Sequence, residues 1–380
     1  MKQSVSAGSE TDAAFLSPRG FLKRIIRSAG NAVLQPDSQL LWFPRAGREG
    51  RRLLDDLHHD AIFVTAPPFS PFLIGARLSR QTGLPLIVDY RDEWGISNRY
   101  QENRQKSSLS HRIQSRMQRG VLRQARAVVA TTQGSMRTLK DHIHAAGSHA
   151  TASCIYNGYD ESDLLGTGTP PKRPADKYRL SYVGTLWNLT DISPLVQAIC
   201  ELAATKPNVA SQLELVVAGR QTAEQDAVLD RLEGLPCQLT RKGYLTHAEA
   251  IDVMRSSDEL ALLLSDVPEA ARVMPGKTFE YLALQQNILA IAPSGEMTDL
   301  LSTCPRAESF RPADVTGLVR HLEKRITEGA TRNSDEDWDP SRFERRHLTG
   351  QLANVLDFAA GSPSSRESHA PLTELTGVER

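Results

Sequence analysis

The residues best suited to chemistry lie in Val273–Ala283, VMPGKTFEYLA. Pro275 and Gly276 break the chain, and a helix is expected to open at Lys277. The amino end of a helix offers unpaired amides and the positive end of a dipole, a ready site for an anion. Gly276, Lys277 and Thr278 form that end, and Lys277 adds a full charge. Glu280, one turn in, can accept two hydroxyl hydrogen bonds, as a ribose diol requires. Gly276-Lys277-Thr278 also spells the end of a phosphate-binding P-loop. That motif needs a glycine five residues before Gly276, and Ala271 stands there. A plain helix start with a solvated Lys and Glu is the competing reading.

Three further stretches stand at the ends of apolar runs. In Leu180–Trp187 (LSYVGTLW) the run ends at Gly184-Thr185, where a glycine lets backbone amides approach a diphosphate closely. Val216–Arg220 (VVAGR) repeats the form and sets Arg220 at a strand's carboxyl end, the edge where open α/β sheets bind ligands. Arg220 suits a phosphate there, or a surface ion pair. In Leu86–Trp94 (LIVDYRDEW) the residues Asp89, Arg91, Asp92 and Trp94 stand where a strand gives way to a loop. Carboxylates beside an aromatic ring suit a sugar, although an Asp–Arg pair that merely orders the loop is the alternative. Pro68 and Ser70, in APPFSP, shape the same edge.

A basic stretch separates these motifs. Residues 99–126 hold eight Lys/Arg and one acid, Glu102. Arg112, Arg116, Arg119 and Arg123 are spaced four, three and four apart, so they share one helical face. That face can hold anionic lipid headgroups or a lipid-linked diphosphate, or it is simply solvated.

The elements that must position these residues alternate along the chain. Short apolar strands are expected at 61–65, 86–89, 127–131 and 153–156. A second series follows at 178–183, 213–218, near 239, 260–264 and 288–291. Helices lie between them, including 72–81, 133–146, 191–204, 222–233, 247–256, 276–285 and a last one at 340–359. Such alternation means parallel sheets covered on both faces. The Gly-, Thr- and Pro-rich stretch at 165–176 divides the series. The expected organisation is a leader at 1–35 that includes a short helix at 15–30, then a first Rossmann-like domain at 36–168. A second such domain at 169–335, a crossover helix at 336–360 and a disordered tail at 361–380 complete it.

Composition narrows the function. The chain has 380 residues, with 40% hydrophobic and 24% charged, the balance of a protein with a real core. Its 45 Lys/Arg and 45 Asp/Glu cancel, which argues against a dedicated nucleic-acid binder. No apolar run approaches the ~18 residues of a membrane span. The amino end, MKQSVSAGSETDAAF, lacks the apolar core of a signal peptide. Cys154, Cys200, Cys237 and Cys304 form no CxxC pair, which argues against a zinc site or disulfide framework and for a reducing cytoplasm.

Taken in order, VDYRDEW (88–94), IYNGYDESDL (155–164), YVGTLW (182–187), VVAGR (216–220), KGYLTHAEAIDVMRSSD (242–258) and PGKTFEYLALQQNILAI (275–291) resemble a known set. The set is that of GT-B fold retaining glycosyltransferases, in the large group 1 family that includes sucrose synthase and many bacterial polysaccharide enzymes. The resemblance spans residues 36–360. It implies two Rossmann-like domains, the first for the acceptor and the second for a nucleotide-diphosphate-sugar donor, with no metal or other cofactor. Glu280 matches the ribose-gripping second Glu of the family's paired-Glu motif. Lys277 sits beside the nucleotide, and Gly184 matches the glycine at the diphosphate. Asn157-Gly158 matches the interdomain hinge.

Three departures accompany this likeness. Arg272 stands where the first Glu of that motif belongs. Thr185 and Thr190 stand near the places of the usual Arg and Lys, so Arg220 and Arg272 become the candidate diphosphate clamps. No Gly-rich strand and loop precede residue 61, so the first domain is expected to be incomplete, completed upstream or by another chain, or inactive.

The implied activity is retaining transfer to a glycan or lipid-linked acceptor in cell-surface polysaccharide synthesis, in the cytoplasm at the inner face of a membrane. Lys277 and Arg220 would stabilise the leaving diphosphate, and Asp92 would orient the acceptor hydroxyl or donor sugar. A sugar-nucleotide 2-epimerase of the same fold and a catalytically impaired nucleotide-sugar-binding subunit are the rivals.

Overall fold

The structure, a computed structural model, describes residues 35–96, 108–168, 176–329 and 338–361. The leader helix expected at 15–30, the tail and the basic residues Arg99, Arg104 and Lys106 lie outside them. The chain divides into two compact units. One comprises residues 1–129, 139–152 and 356–380; the other comprises 130–138 and 153–355.

The first unit carries α1 (Phe43–Asp56), β1 (Ile62–Ala66), α2 (Ser70–Thr82), β2 (Leu86–Tyr90), α3 (Ser108–Gln124), β3 (Ala125–Ala130), α4 (Gln133–Ala145) and β4 (Thr151–Cys154). The strands form one sheet in the order β1-β2-β3-β4, with β1 and β2 parallel. All five residues of β2 are buried, as expected of an apolar run covered on both faces. Helix α2 is bounded at both ends. Asp37 accepts the amides of Phe69 (2.7 Å) and Ser70 (3.0 Å) at its start. Gly83, in the left-handed region at φ 79°, closes its end through Ser79 O. Helix α1 buries no residue. Its sequence, FPRAGREGRRLLDD, interrupts any apolar stripe with Pro and two Gly, which is why the sequence reading passes over it.

The second unit contains β5 (Tyr178–Val183), α5 (Ser193–Thr205), α6 (Pro207–Ala210), β6 (Leu213–Ala218), α7 (Ala223–Asp230), β7 (Gln238–Gly243), α8 (His247–Arg255) and β8 (Glu259–Leu263). It continues through α9 (Lys277–Ala283), β9 (Asn287–Ile291), α10 (Glu296–Leu301), β10 (Ala307–Phe310), α11 (Val315–Glu328) and α12 (Arg345–Ala360). Its sheet runs β10-β9-β8-β5-β6-β7, and the strand pairs are parallel. This is the doubly wound Rossmann order, which reverses where β5 meets β8. Alternate strand residues feed two cores. In β8, Ala261 and Leu263 pack with α5 and α11, while Leu260 and Leu262 pack with α8, α9 and α10.

The amino edge of this sheet is stapled by charged groups, most of them buried. Arg179 Nε donates to Glu214 (2.8 Å). His321, buried on α11, lies 3.0 Å from both Glu259 and Glu308. Burial pushes the His321 imidazole down, but the two carboxylates outweigh it and leave its pKa above the ordinary value. These groups stand at strand starts, away from the edge where such sheets bind ligands.

Residues 153–168, read from sequence with the first domain, group with the second unit. Tyr159 N–H donates to Phe343 O (3.0 Å) and Arg345 N–H to Tyr159 O (2.8 Å). Residues 130–138 join them because Glu296 accepts the Gln133 and Gly134 amides (2.6 and 2.7 Å). The last residues of α12, from Leu356, group with the first unit.

Candidate functional site

At the reversal between β5 and β8, strand β5 ends at Val183 and turns through Gly184 at φ 142°. The Gly184 amide donates to Ala218 O (2.8 Å). Gly219, at φ 128°, ends β6 beside it, and a side-chain carbon there would strike the Gly184 carbonyl. A carbon on Gly184 would in turn stand 2.7 Å from Lys277 Nζ. Both turns therefore require glycine, for backbone conformation and for space.

Lys277 opens α9 and reaches back to β5. Its ammonium sits 3.9 Å from the Tyr182 ring centroid and donates to Val183 O (3.2 Å). Tyr182 is anchored by its hydroxyl, which donates to Thr185 O (2.8 Å). Tyr281, buried on α9, accepts the Val183 amide (3.3 Å). Burial pushes the Lys277 ammonium down to about 7, against a smaller upward pull from Glu280. Thr278 is fully buried, and its hydroxyl has no hydrogen-bond partner. Gly276 is exposed, with open space where a side chain would begin.

Glu280 is half-buried one turn along. His247, the first residue of α8, lies 3.8 Å from its carboxylate. Burial raises the Glu280 pKa, while His247, Arg345 and Lys277 pull it down. The second unit thus brings Gly184, Lys277, Thr278 and Glu280 together around the end of β5, with Thr185 adjacent.

The two arginines expected as clamps have neighbours within the second unit. Arg220 is exposed and lays its guanidinium 5.2 Å from the Tyr244 ring centroid. Arg272 packs its stem on Gly134, where a side-chain carbon would meet Arg272 Cγ at 2.9 Å, and its carbonyl accepts from Thr132 (3.1 Å). Gly158, at φ 65°, has the Phe343 carbonyl and Leu348 where a side chain would begin. The Asn157-Gly158 pair is therefore a close-packing point within the second unit.

In the first unit the acceptor-side candidates separate. Asp89 is buried at the end of β2 and accepts from Thr65 (3.0 Å). Its other oxygen makes no hydrogen bond, with Arg91 Nη1 3.8 Å away. Burial raises its pKa, with Arg91 and Thr65 opposing. Arg91 N–H donates to Ala66 O, joining the β1 and β2 ends. Asp92 and Pro68 are exposed.

Two expectations are corrected here. Trp94 is 2% exposed, stacks on Phe69 at 4.5 Å, and donates from Nε1 to Gln114 (2.9 Å). It presents no face to a sugar, because the helical turn at 94–96 swings it into the core. Ser70 is buried, and its hydroxyl and amide both go to Asp37. It ties the start of α2 to Asp37 rather than lining an open edge.

Sequence reasoning missed Tyr182, Tyr281, Gly219 and His247. The tyrosines sit within apolar runs and read as core. The strand-end Gly219 was legible as a second glycine in the pattern of Gly184. His247 follows a capping Thr246 and reads as an ordinary helix start. Among the described residues, no group of three His, Cys, Asp or Glu stands where it could hold a metal ion. No described helix is long and apolar enough to cross a membrane.

The comparisons agree with this architecture. Residues 10–149 match the family described as the glycosyl transferase 4-like domain. Among solved structures, HepE of Anabaena in complex with UDP is 18% identical, with 82% of each chain covered and a TM-score of 0.59. The lipopolysaccharide outer core galactosyltransferase WaaB is 14% identical over 84% of this chain and 81% of its own, with a TM-score of 0.56. A UDP-forming α,α-trehalose-phosphate synthase from Burkholderia vietnamiensis is 14% identical over 90% and 83%, with a TM-score of 0.63. A search of the curated proteins finds no sequence relative. The fold is GT-B, and the amino-terminal part of the chain is similar to the glycosyl transferase 4-like domain.

Proposed function

We propose that the chain transfers a sugar from a nucleotide-diphosphate-sugar to a glycan or lipid-linked acceptor, with retention and without a metal. The observation that carries this reading is Lys277. It is a desolvated cation at the β5/β8 reversal, packed beside the glycine turn at Gly184. Glu280, one turn on, is placed to take the ribose hydroxyls. The domain match and the UDP and UDP-glucose complexes of HepE support the donor class. The lipopolysaccharide-linked WaaB supports a cell-surface acceptor. As the glycosidic bond breaks, the diphosphate gains charge, and Lys277 with the amides after Gly184 would stabilise it.

The testing experiment is a thermal-shift titration with UDP. A hundredfold excess over Kd should raise stability by about 2.7 kcal/mol. Glu280→Ala should melt like wild type without ligand yet bind UDP at least tenfold more weakly, because each charge-assisted hydrogen bond is worth about 1.5–3 kcal/mol. Equal UDP affinity in the variant would remove Glu280 from the ribose. A product assay with donor alone separates transfer from 2-epimerisation.

Asp92 is proposed to act on the acceptor side. Asp92→Asn should lower turnover more than donor binding, and unchanged turnover with a complete substrate pair would exclude it.

The acceptor side is proposed to work at an anionic membrane surface. Arg112, Arg116, Arg119 and Arg123 all lie exposed on α3, with Val121 and Leu122 buried on its other side. Each basic residue near such a surface is worth about 1 kcal/mol. Binding to anionic but not neutral liposomes is therefore expected, and it should be lost at about 1 M salt and in the fourfold Arg→Glu variant. Equal binding to neutral vesicles, or none at low salt, would make this an ordinary solvated face.

A further inference from the structure

We infer that His247 is a positioning residue for the donor site, an imidazolium beside Glu280 that favours its ionised carboxylate, so that it can accept both hydroxyls of a nucleotide ribose. This rests on the reading of Glu280 as the ribose group.

The argument begins with a conflict. A ribose diol donates two hydrogen bonds, so its partner must be a carboxylate with both oxygens available. Burial works against that state, because it favours the neutral acid. The raised pKa of Glu280 is the mark of this cost. A neutral acid carries one hydroxyl of its own and accepts poorly at that oxygen. Something must therefore favour the charge without occupying both oxygens.

The groups facing Glu280 come from four elements. His247 opens α8, Arg345 opens α12, Lys277 precedes Glu280 on α9, and Asp163 lies on the helical turn Glu161–Leu165. Asp163 opposes the charge, and it is paired with Arg345 at 3.4 Å. That pairing spends part of the Arg345 charge. Lys277, whose ammonium lies over the Tyr182 ring, has the smallest of these influences on Glu280. His247 is the largest of the cationic influences on Glu280.

Its geometry suits the task. His247 Nε2 stands 3.8 Å from Glu280 Oε1, beyond direct hydrogen-bond length, so neither carboxylate oxygen is consumed. The helix start that carries His247 is fixed by a capping box. Thr246 caps α8 through the Glu249 amide, and Glu249 caps back to the Thr246 amide (2.8 Å). The imidazole is half exposed, so it is reachable from solvent at the site's edge.

The test is UDP binding by calorimetry across about pH 4.5–8 in the full chain, for wild type, His247→Ala, His247→Gln and Glu280→Gln. Wild-type affinity should fall on the acid side as Glu280 protonates. In His247→Ala that acid limb should move to higher pH by about half a unit, and UDP should bind about two- to fivefold more weakly at pH 6, the range of a partly exposed charge pair. His247→Gln, which keeps the bulk but not the charge, should show the same moved limb. In Glu280→Gln the limb should vanish. The melting temperature without ligand should be unchanged by the His247 variants.

Two failures are distinct. If Glu280→Gln binds UDP as wild type does, the ribose reading itself is wrong. If Glu280→Gln weakens binding but the acid limb stays in place in both His247 variants, Glu280 keeps its role and His247 loses the one inferred here.

Discussion

Lys277→Met is expected to lower turnover about 10²- to 10³-fold, the usual loss when a fixed positive group is removed from a developing anion. Donor binding should weaken less, because the diphosphate is already charged in the ground state while the extra charge appears only as the bond breaks. The same lysine should give the protein an alkaline limb. Its ammonium titrates at about 7 in the free protein, so UDP affinity should fall as pH rises from about 7 to 9, by roughly an order of magnitude. In Lys277→Met that limb should be absent. Calorimetric Kd values across this range check the point, and an alkaline limb that survives in the variant would assign it elsewhere.

Stability should move the opposite way. The unfolded chain holds the lysine proton up to about 10.4, and the folded chain releases it at about 7. Between those values the unfolded state binds more protons, so folding stability rises with pH. Lys277→Met should therefore melt higher than wild type near pH 6, with the margin narrowing toward pH 10. Such an exchange of stability for activity is what a desolvated charge at a working site implies.

Trp94→Ala is expected to cost about 3–5 kcal/mol of stability, the range for deleting a fully buried large aromatic. The indole is stacked on Phe69 and lies in one aromatic cluster with Phe72. Its Nε1–H also anchors Gln114, whose amide in turn donates to Gln35 (2.7 Å). Loss of the ring leaves a cavity and removes the donor that Trp94 supplies to the buried Gln114. Urea denaturation of the full chain checks this. A variant that unfolds like wild type yet binds an acceptor sugar poorly would return Trp94 to the surface as a sugar platform.

The contrast between these two residues shows what the sequence could carry. Parallel strands buried on both faces announce themselves as runs such as LIVDY and LSYV. Pro275-Gly276 and Gly184 punctuate them where a ligand edge must lie. The place of Lys277 and Glu280 in the first turn of a helix was therefore legible from local order alone. Trp94 was not, because its direction is set by a helical turn and by Gln114, twenty residues later. Ser70 was hidden in the same way by Asp37. Arg220 and Arg272 followed from the need for cations, and the structure gives one to Tyr244 and packs the other's stem on Gly134. The sequence reading also ends its alternation at Ile291. Leu318, Leu322 and Ile326, four apart, mark the α11 that lies beyond it.

The paired glycines at 184 and 219 bear on how such an enzyme can diversify. Because the Gly184 carbonyl occupies the place of any side chain at Gly219, neither turn can be redrawn without the other, and both are tied into the central strands. On the proposed reading, the diphosphate corner is thus a fixed datum of the scaffold, indifferent to which nucleotide or sugar extends from it. Changes of donor preference would then fall along the rim, where His247 and Tyr244 are exposed and side chains can be exchanged without disturbing a strand. A library aimed at new donors should leave Gly184, Gly219 and Lys277 alone and vary Arg220, Tyr244 and His247.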